Sequence, residues 1–334
     1  MADPSIKFGV FYDFRNPAPF RQDWTERYRQ IFEQIDWVEA SSNFAGVSVS
    51  EHHFVDDGYT PSVLALAAAI AARTERMEIS TNILQLPLHN PLRVAEDALT
   101  VDALSAGRFR LGVANGYREI EFAGFETTPK ARASRMEEAL SIIRSAFAGE
   151  PFAHSGKHWS FPELSVTPYP VRDGGPPIWM GGTVPPAFER AARLGDGFMS
   201  STNDEVVGYL EACDRLGTPA ERRGTMRTAW AIIDEDPERA LRELGPYMLY
   251  QVNGYVDFGF LDVPYFEDPA KLVELGFYTL VDADGAISYF REAAAAGIEE
   301  IQLFAQAPGE PVSSGTARLE YVSKHVVPAF SGLK

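Results

Sequence analysis

The chain has 334 residues, of which 45% are hydrophobic and 23% are charged, a composition typical of a globular protein and not of a disordered or fibrous one. Its formal net charge of −17 disfavours nucleic acids and anionic membranes as partners, because both are bound mainly through Lys and Arg. No apolar segment approaches the roughly 20 residues that cross a bilayer, so we expect a cytoplasmic protein with no membrane partner.

Short segments rich in β-branched and aromatic residues alternate with longer helical patterns along the whole chain. Eight strands in alternation with helices predict the α/β class and a single-domain (β/α)8 TIM barrel over residues 1–334. No GxGxxG follows the first strand, which argues against a Rossmann fold. The predicted strands are residues 6–13, 46–53, 77–86, 108–115, 177–182, 197–202, 225–234 and 299–305. The predicted helices are residues 24–42, 61–74, 91–105, 131–147, 185–194, 204–217, 237–249 and 314–330.

Two connecting segments are longer than ordinary loops. Residues 149–175 are rich in Pro, Gly and aromatic residues, and they predict a surface insertion after the fourth helix. Residues 251–277 precede the last strand and mix aromatic residues with Gly and Pro. In a barrel enzyme a segment of this kind at the mouth is a candidate lid over the substrate.

The carboxyl ends of the strands line the active-site mouth of a barrel, and the second predicted strand ends on the sequence EHHF at 51–54. Side chains alternate along a strand, so only one of the two histidines can face the barrel interior. Neighbouring histidines do not have the spacing of a metal site, and we therefore expect no metal.

Small and polar residues follow the next strands. The third strand ends near residues 81–83, and the fourth leads into residues 114–116, where small side chains let a ligand approach the backbone. The fifth strand leads into Gly181, Gly182 and Thr183 at the start of a helix. Backbone N–H groups and a hydroxyl at a helix start can hold an anion such as phosphate. This turn is therefore a candidate anion site.

Three segments together resemble the luciferase-like monooxygenase family: EHHF at 51–54, NPLRVAEDALTVDALSAGRFRLGV at 90–113 and PIWMGGT at 177–183. The similarity covers nearly the whole chain in order. It implies a (β/α)8 barrel with a non-prolyl cis peptide after the third strand, FMN across the mouth and a flexible lid before the last strand. The active-site histidine that it implies is His52. The cofactor-binding residues that it implies are Asn82, Ile83, Asn115, Gly181, Gly182 and Thr183.

Two positions depart from the family pattern. Asn115 stands where luciferase-like proteins often carry an Arg that grips the phosphate, so the phosphate would rely on Thr183, backbone amides and Arg118. Ala114 stands at the position of the reactive cysteine of luciferase, which argues against identity with luciferase itself.

The resemblance implies an enzyme: a two-component monooxygenase that uses reduced FMN, supplied by a separate flavin reductase, and dioxygen to oxidise a small organic substrate. The chain has no nicotinamide fingerprint after its first strand and no second domain for a hydride donor, which agrees with reduction elsewhere. His52 would act as a general acid or base. The aromatic residues expected to line the substrate pocket are Phe54, Tyr59, Tyr255, Phe258 and Phe260.

Two alternatives stay open. Relatives of this kind also use a deazaflavin of the F-420 type, which transfers hydride and does not activate oxygen. A non-catalytic partner subunit similar to the luciferase β chain is the other alternative. The family assembles through the helices beside strands two to four, so we expect a homodimer.

Overall fold

The computed structural model describes residues 6–41 and 43–330. Eight of its strands pair in parallel in the order β1, β12, β9, β8, β7, β4, β3, β2, and β2 pairs with β1 to close the barrel. The prediction of a (β/α)8 barrel is confirmed. The strands are β1 (Lys7–Tyr12), β2 (Gly46–Val49), β3 (Glu78–Thr81), β4 (Phe109–Val113), β5 (Phe152–Ser155), β6 (Ser160–Leu164), β7 (Ile178–Gly181), β8 (Gly197–Ser200), β9 (Gly224–Ala229), β10 (Ala231–Ile233), β11 (Thr279–Val281) and β12 (Glu300–Phe304).

The helices surround the barrel, and several begin at a capping side chain. Asn90 accepts hydrogen bonds from the backbone N–H groups of Leu92 and Arg93, and Thr202 and Glu205 form a capping box. The helices are α1 (Trp24–Ser41), α2 (Val63–Ala71), α3 (Pro91–Leu104), α4 (Glu119–Gly124), α5 (Arg132–Phe147), α6 (Pro185–Leu194), α7 (Asn203–Leu216), α8 (Pro237–Asp257), α9 (Pro269–Glu274), α10 (Ala283–Ala295) and α11 (Val312–His325). Residue 42, the predicted end of the first helix, lies outside the described residues.

The insertion predicted at 149–175 is present as the antiparallel hairpin of β5 and β6. Glu138 on α5 anchors it, because its carboxylate accepts hydrogen bonds from the backbone N–H groups of Lys157, His158 and Trp159. The hairpin therefore packs against the helix that precedes it.

The sequence prediction was wrong at three places near the carboxyl terminus. Helix α8 continues to Asp257, past the predicted end at 249, because Met248, Val252 and Tyr255 keep burying one helical face. Residues 251–277 thus contain the end of α8 and all of α9, and are not one long loop. Helix α10 was not predicted. The predicted strand 225–234 is split at Trp230, since β10 leaves the barrel and pairs with β11.

Among the described residues, no helix is both long enough and apolar enough to cross a membrane.

A buried ion pair joins the ends of the first two strands. The Arg15 Nε atom donates to Asp57 Oδ2 at 2.6 Å, and the two side chains are 1% and 0% exposed. Tyr250 on α8 donates its hydroxyl to the same carboxylate oxygen at 3.0 Å. One carboxylate therefore connects the loop after β1, the loop after β2 and helix α8.

We expect Asp57→Ala to lower the free energy of unfolding by about 3 kcal/mol or more, because it leaves a buried guanidinium without its partner. Asp56→Ala is the matched control: this neighbouring side chain is 79% exposed in its pair with Arg21, and its loss should cost less than about 1 kcal/mol. Urea denaturation of the variants measures both values, and equal losses would contradict the prediction.

Candidate active site

A cavity of about 480 Å³ lies at the carboxyl ends of the barrel strands, within the range of small-molecule pockets. Every barrel strand contributes residues to its wall, either from its last positions or from the loop that follows. The structure brings together all seven site residues expected from the sequence: His52, Asn82, Ile83, Asn115, Gly181, Gly182 and Thr183.

His52 is the histidine of the pair that faces this cavity, and a buried carboxylate orients it. Its Nδ1 atom lies 2.9 Å from Glu121 Oε1, while its Nε2 atom lies 3.4 Å from the Tyr117 hydroxyl, another cavity residue. A carboxylate at Nδ1 favours the tautomer with the proton on that nitrogen. The Nε2 atom is then left as an acceptor on the cavity side.

Glu121 is wholly buried at the start of α4 and was not anticipated from the sequence. Burial alone would raise the pKa of its carboxyl group, but hydrogen bonds from His52 and the His53 backbone and the charge of Arg118 outweigh burial, so the pKa is lowered. Glu121 is therefore an anion at neutral pH, and it holds the loops after β2 and β4 together.

The second histidine of the pair belongs to a separate cluster. His53 Nε2 and His89 Nε2 lie 3.2 and 2.8 Å from Glu51 Oε1, and the three ligand atoms lie within 4.8 Å of one another. His89 Nε2 is hydrogen-bonded to the Glu51 carboxylate, whereas His53 Nε2 is buried without a hydrogen-bond partner among the described residues. The spacing of the three groups also suits a metal ion. The spacing of the adjacent histidines in the sequence did not predict that His89 joins them.

The peptide bond between Asn82 and Ile83 is cis, as the family resemblance implies. The Asn82 side chain donates from Nδ2 to the Thr228 hydroxyl on β9 at 2.7 Å. This hydrogen bond crosses the barrel mouth and fixes the part of the cavity wall that Asn82 and Ile83 form.

The Gly-Gly-Thr turn lies at the cavity, but the helix that follows offers fewer donors than expected. Pro185 and Pro186 occupy the first two positions of α6, so neither has an N–H group, and the Ala187 N–H already bonds to Val184 O. Anion binding would therefore depend on residues before the helix, with Thr183 supplying a hydroxyl.

The cation that lines the cavity is not the one expected from the sequence. Arg118, the residue expected to help with a phosphate, donates to His53 O at 2.6 Å and to Glu121, and it does not line the cavity. Arg132, at the start of α5, does line it. Glu205 also lines the cavity, and its Oε2 atom accepts hydrogen bonds from the N–H groups of Ser201 and Thr202.

Three of the five aromatic residues expected at the substrate pocket line the cavity: Tyr59, Tyr255 and Phe260. Phe54 is instead exposed and packs against Phe125, and Phe258 packs against His52 and Arg118 without lining the cavity. Other aromatic residues, which the sequence analysis missed, complete the wall: Phe11, Tyr117, Trp230 and Phe304.

Two amide oxygens in the cavity wall are buried without a hydrogen-bond partner among the described residues, Asn115 Oδ1 and Gln85 Oε1. The Gln85 Nε2 atom donates to Glu51 O, which sets the direction of its amide. Buried acceptors of this kind call for a ligand with N–H or O–H groups. A flavin ring and its ribityl chain carry both, so the residues present fit a flavin.

Comparison with known sequences gives a consistent assignment. The family model described as luciferase-like monooxygenase matches residues 6–302. The alkanal monooxygenase beta chain of Photorhabdus luminescens is 29% identical over 191 residues, which are 57% of this chain and 58% of the relative. The oxygenase component of flavin-dependent trigonelline monooxygenase from Acinetobacter baylyi is 24% identical over 258 residues, 73% of this chain and 71% of that relative. The F420-dependent glucose-6-phosphate dehydrogenase of Nocardia farcinica is 30% identical over 197 residues, 55% of this chain and 58% of the relative.

Solved structures share the whole fold. The monooxygenase RslO1 from Streptomyces bottropensis superimposes with a TM-score of 0.83 at 20% identity, covering 98% of this chain and 100% of the other. The oxygenating constituent of 3,6-diketocamphane monooxygenase from Pseudomonas putida, solved with FMN, gives 0.77 at 18% identity over 97% and 98% of the two chains. An F420-dependent secondary alcohol dehydrogenase gives 0.74 at 18% identity over 98% and 99%. The barrel, the residues at its mouth and the family match over residues 6–302 show that this chain belongs to the luciferase-like monooxygenase family.

Proposed function

We propose that this chain is the oxygenase of a two-component, FMN-dependent monooxygenase that oxidises a small organic substrate with dioxygen. The observation that carries the proposal is His52, oriented by Glu121 on the wall of a cavity that Thr183 and Arg132 also line. The similarity to a protein named as an oxygenase component supports a separate reductase as partner. The same system would operate in the cytoplasm.

Three groups of residues would hold the cofactor. The ring would lie against the Asn82–Ile83 peptide, with Asn115 Oδ1 accepting from an N–H or O–H group of the ligand. The phosphate would bind at Gly181, Gly182 and Thr183, with Arg132 supplying the positive charge that Asn115 does not. Reduced FMN, when bound, supplies the electrons that activate dioxygen.

His52 would move a proton during the reaction. Its Nε2 atom can accept a proton from the cavity side, and the Glu121 carboxylate stabilises the imidazolium that results. The buried position of His52 and the surrounding rings of Tyr59, Tyr117 and Phe258 restrict water at this nitrogen.

A deazaflavin-dependent hydride transfer is the second candidate. The relative from Nocardia farcinica named as F420-dependent supports it, and so does Asn115 at a position where an Arg would grip the FMN phosphate. A non-catalytic partner subunit is the third, supported by the similarity to alkanal monooxygenase beta chains. The oriented His52 at a formed cavity favours an enzyme over this third candidate.

We also propose a homodimer that forms through α2. This helix has the sequence VLALAAAIA without a polar side chain, although Leu64, Leu66 and Ala68 are only partly buried and Ala65 is exposed. A helix that is apolar on its outer face is usually covered by another element. Two chains of charge −17 repel each other, so an uncharged helix is the surface on which they could meet.

Titration of the purified protein tests the cofactor assignment. We expect reduced FMN to bind more tightly than riboflavin or reduced deazaflavin F420, because riboflavin lacks the phosphate, and we expect the complex to consume dioxygen. Fluorescence and an oxygen electrode provide the measurements. Preference for the deazaflavin without oxygen consumption would establish the second candidate instead.

The same titration, repeated with two matched variants, tests the role of Arg132 in phosphate binding. Arg132→Gln should weaken FMN binding about ten-fold and leave riboflavin binding unchanged, since a charge-assisted hydrogen bond contributes about 1.5 kcal/mol. Lys130→Gln removes a nearby exposed cation that does not line the cavity, and it should change neither affinity. An unchanged FMN affinity in Arg132→Gln would exclude this residue from the phosphate site.

We expect His52→Ala to slow turnover about 100-fold or more, and Glu121→Gln about 10-fold or more, because the first removes the proton carrier and the second its orienting charge. Single-turnover reoxidation of protein-bound reduced FMN measures the rates, and FMN titration should show an affinity close to that of the unaltered protein. Glu119→Gln changes an exposed carboxylate on the same helix and serves as the control. Full turnover in His52→Ala would remove the role assigned to this residue.

We expect Ala65→Glu to convert the dimer into a monomer, because it places two like charges in the interface. Ala295→Glu makes the same change at an exposed alanine of α10 and should leave the dimer intact. Light scattering after size-exclusion chromatography gives the mass of each variant. A dimeric Ala65→Glu would locate the interface elsewhere.

A further inference from the structure

The cavity has two chemically different ends. In the strand order of the closed barrel, β7 lies opposite β1, so the turn with Thr183 is across the mouth from the loops after β1 and β2. The opposite side, which we call the aromatic end, is formed by Phe11, Tyr59, Trp230, Tyr255, Phe260 and Phe304.

Charge is distributed unequally between these ends. Three charged residues line the cavity: Glu51, Arg132 and Glu205. His52 adds an imidazole. None of the three charged residues is among the six that form the aromatic end, whereas His52 packs against one of the six, Tyr59. Glu51 is occupied by hydrogen bonds to His89 and to the Gln85 backbone. The aromatic end therefore suits an uncharged planar group, which stacks on rings and needs no counter-ion.

Within the aromatic end, two tyrosine hydroxyls face each other. The oxygens of Tyr59 and Tyr255 lie 2.7 Å apart, and both side chains are buried. Burial raises the pKa of each hydroxyl, so both keep their protons at neutral pH. One hydroxyl donates to the other, and the proton of the second remains free.

Among the described residues, neither hydroxyl has a carbonyl or carboxylate oxygen as its acceptor. The Ser50 hydroxyl lies beside Tyr59 and also lines the cavity. Its Oγ atom has no hydrogen-bond partner at bonding geometry among the described residues, and even a chain of all three hydroxyls would have three protons and two links, leaving one proton. A buried donor without an acceptor is unfavourable, which makes this position a binding site for a ligand oxygen.

The hydroxyl pair is held rigidly from behind. The Arg15 guanidinium packs 4.8 Å from the centre of the Tyr59 ring, and the Tyr59 carbonyl accepts a hydrogen bond from the His52 backbone. Tyr255 packs against Trp230 with ring centres 5.1 Å apart. Neither hydroxyl needs to be reorganised when a ligand binds, which favours selective recognition of an oxygen at this point.

We propose that the aromatic end binds an uncharged aromatic compound with a carbonyl oxygen, and that this oxygen accepts a hydrogen bond from the Tyr59–Tyr255 pair. The ring centres of Tyr59 and His52 are 4.7 Å apart, so the Tyr59 side chain that carries one of these hydroxyls packs against the histidine. The inference deepens the proposed function, because the molecule held here would be the one oxidised.

Three eight-carbon ligands separate the features of this site: acetophenone, ethylbenzene and methyl hexyl ketone. Calorimetric titration without any flavin gives their dissociation constants. We expect acetophenone to bind about five-fold or more tightly than ethylbenzene, as about 1 kcal/mol from one hydrogen bond requires. We expect methyl hexyl ketone to bind more weakly than acetophenone, because it cannot stack. Equal affinities for acetophenone and ethylbenzene would overturn the oxygen site. Equal affinities for acetophenone and methyl hexyl ketone would overturn the preference for an aromatic ligand.

Variants locate the hydrogen bond. In Tyr59→Phe/Tyr255→Phe the preference for acetophenone over ethylbenzene should vanish while ethylbenzene binding is retained, and a preference that persists would overturn the proposal. Tyr250→Phe alters a third tyrosine that packs on Arg15 but does not line the cavity, and it should keep the preference. The ligand comparison in the unaltered protein stands even if the double variant fails to fold. Because these titrations contain no flavin, they are independent of the FMN titration. If the ligand preferences are absent while FMN binds tightly, this inference is overturned and the proposed function stands.

Discussion

Parallel pairing of β1 with both β2 and β12 closes the sheet, and this closure is the constraint on which the rest of the structure depends. All eight barrel strands then end on the same side, so loops that are distant in the chain share one rim. Every barrel strand contributes residues to the cavity, because the loops that follow the eight strands all begin at this rim.

Buried carboxylates fasten the rim that closure creates. Glu121 joins the loop after β4 to the histidine pair, Asp57 joins Arg15 to α8, and Glu51 joins His53 to the loop that carries His89. Each accepts at least two hydrogen bonds and contacts groups of different segments, which limits the freedom of the loops. The reactive face of His52 is therefore set by residues outside its own strand.

The opposed ends of the cavity divide the tasks of the proposed reaction. Thr183 provides a hydroxyl at one end, whereas the other end offers rings and a hydroxyl pair. Arg132, the Asn82–Ile83 peptide and His52 line the same cavity, and His52 packs against Tyr59 of the aromatic end. A cofactor and an uncharged substrate can thus meet beside a single proton carrier, which is the arrangement that an oxygenase requires.

The sequence by itself determined the eight βα units, His52 and the Gly-Gly-Thr turn, because alternating hydrophobic patterns and turn residues are local properties of a chain. It did not reveal Glu121, which meets His52 across 69 residues, or the Tyr59–Tyr255 pair across 196. Helix α8 was predicted too short, since burial of Val252 and Tyr255 stabilises its last turns. Arg118 looked like the phosphate ligand, yet the structure uses it on His53 and Glu121 and brings Arg132 to the cavity. Only the closed barrel decided these contacts, because they join segments whose distance depends on the whole strand order.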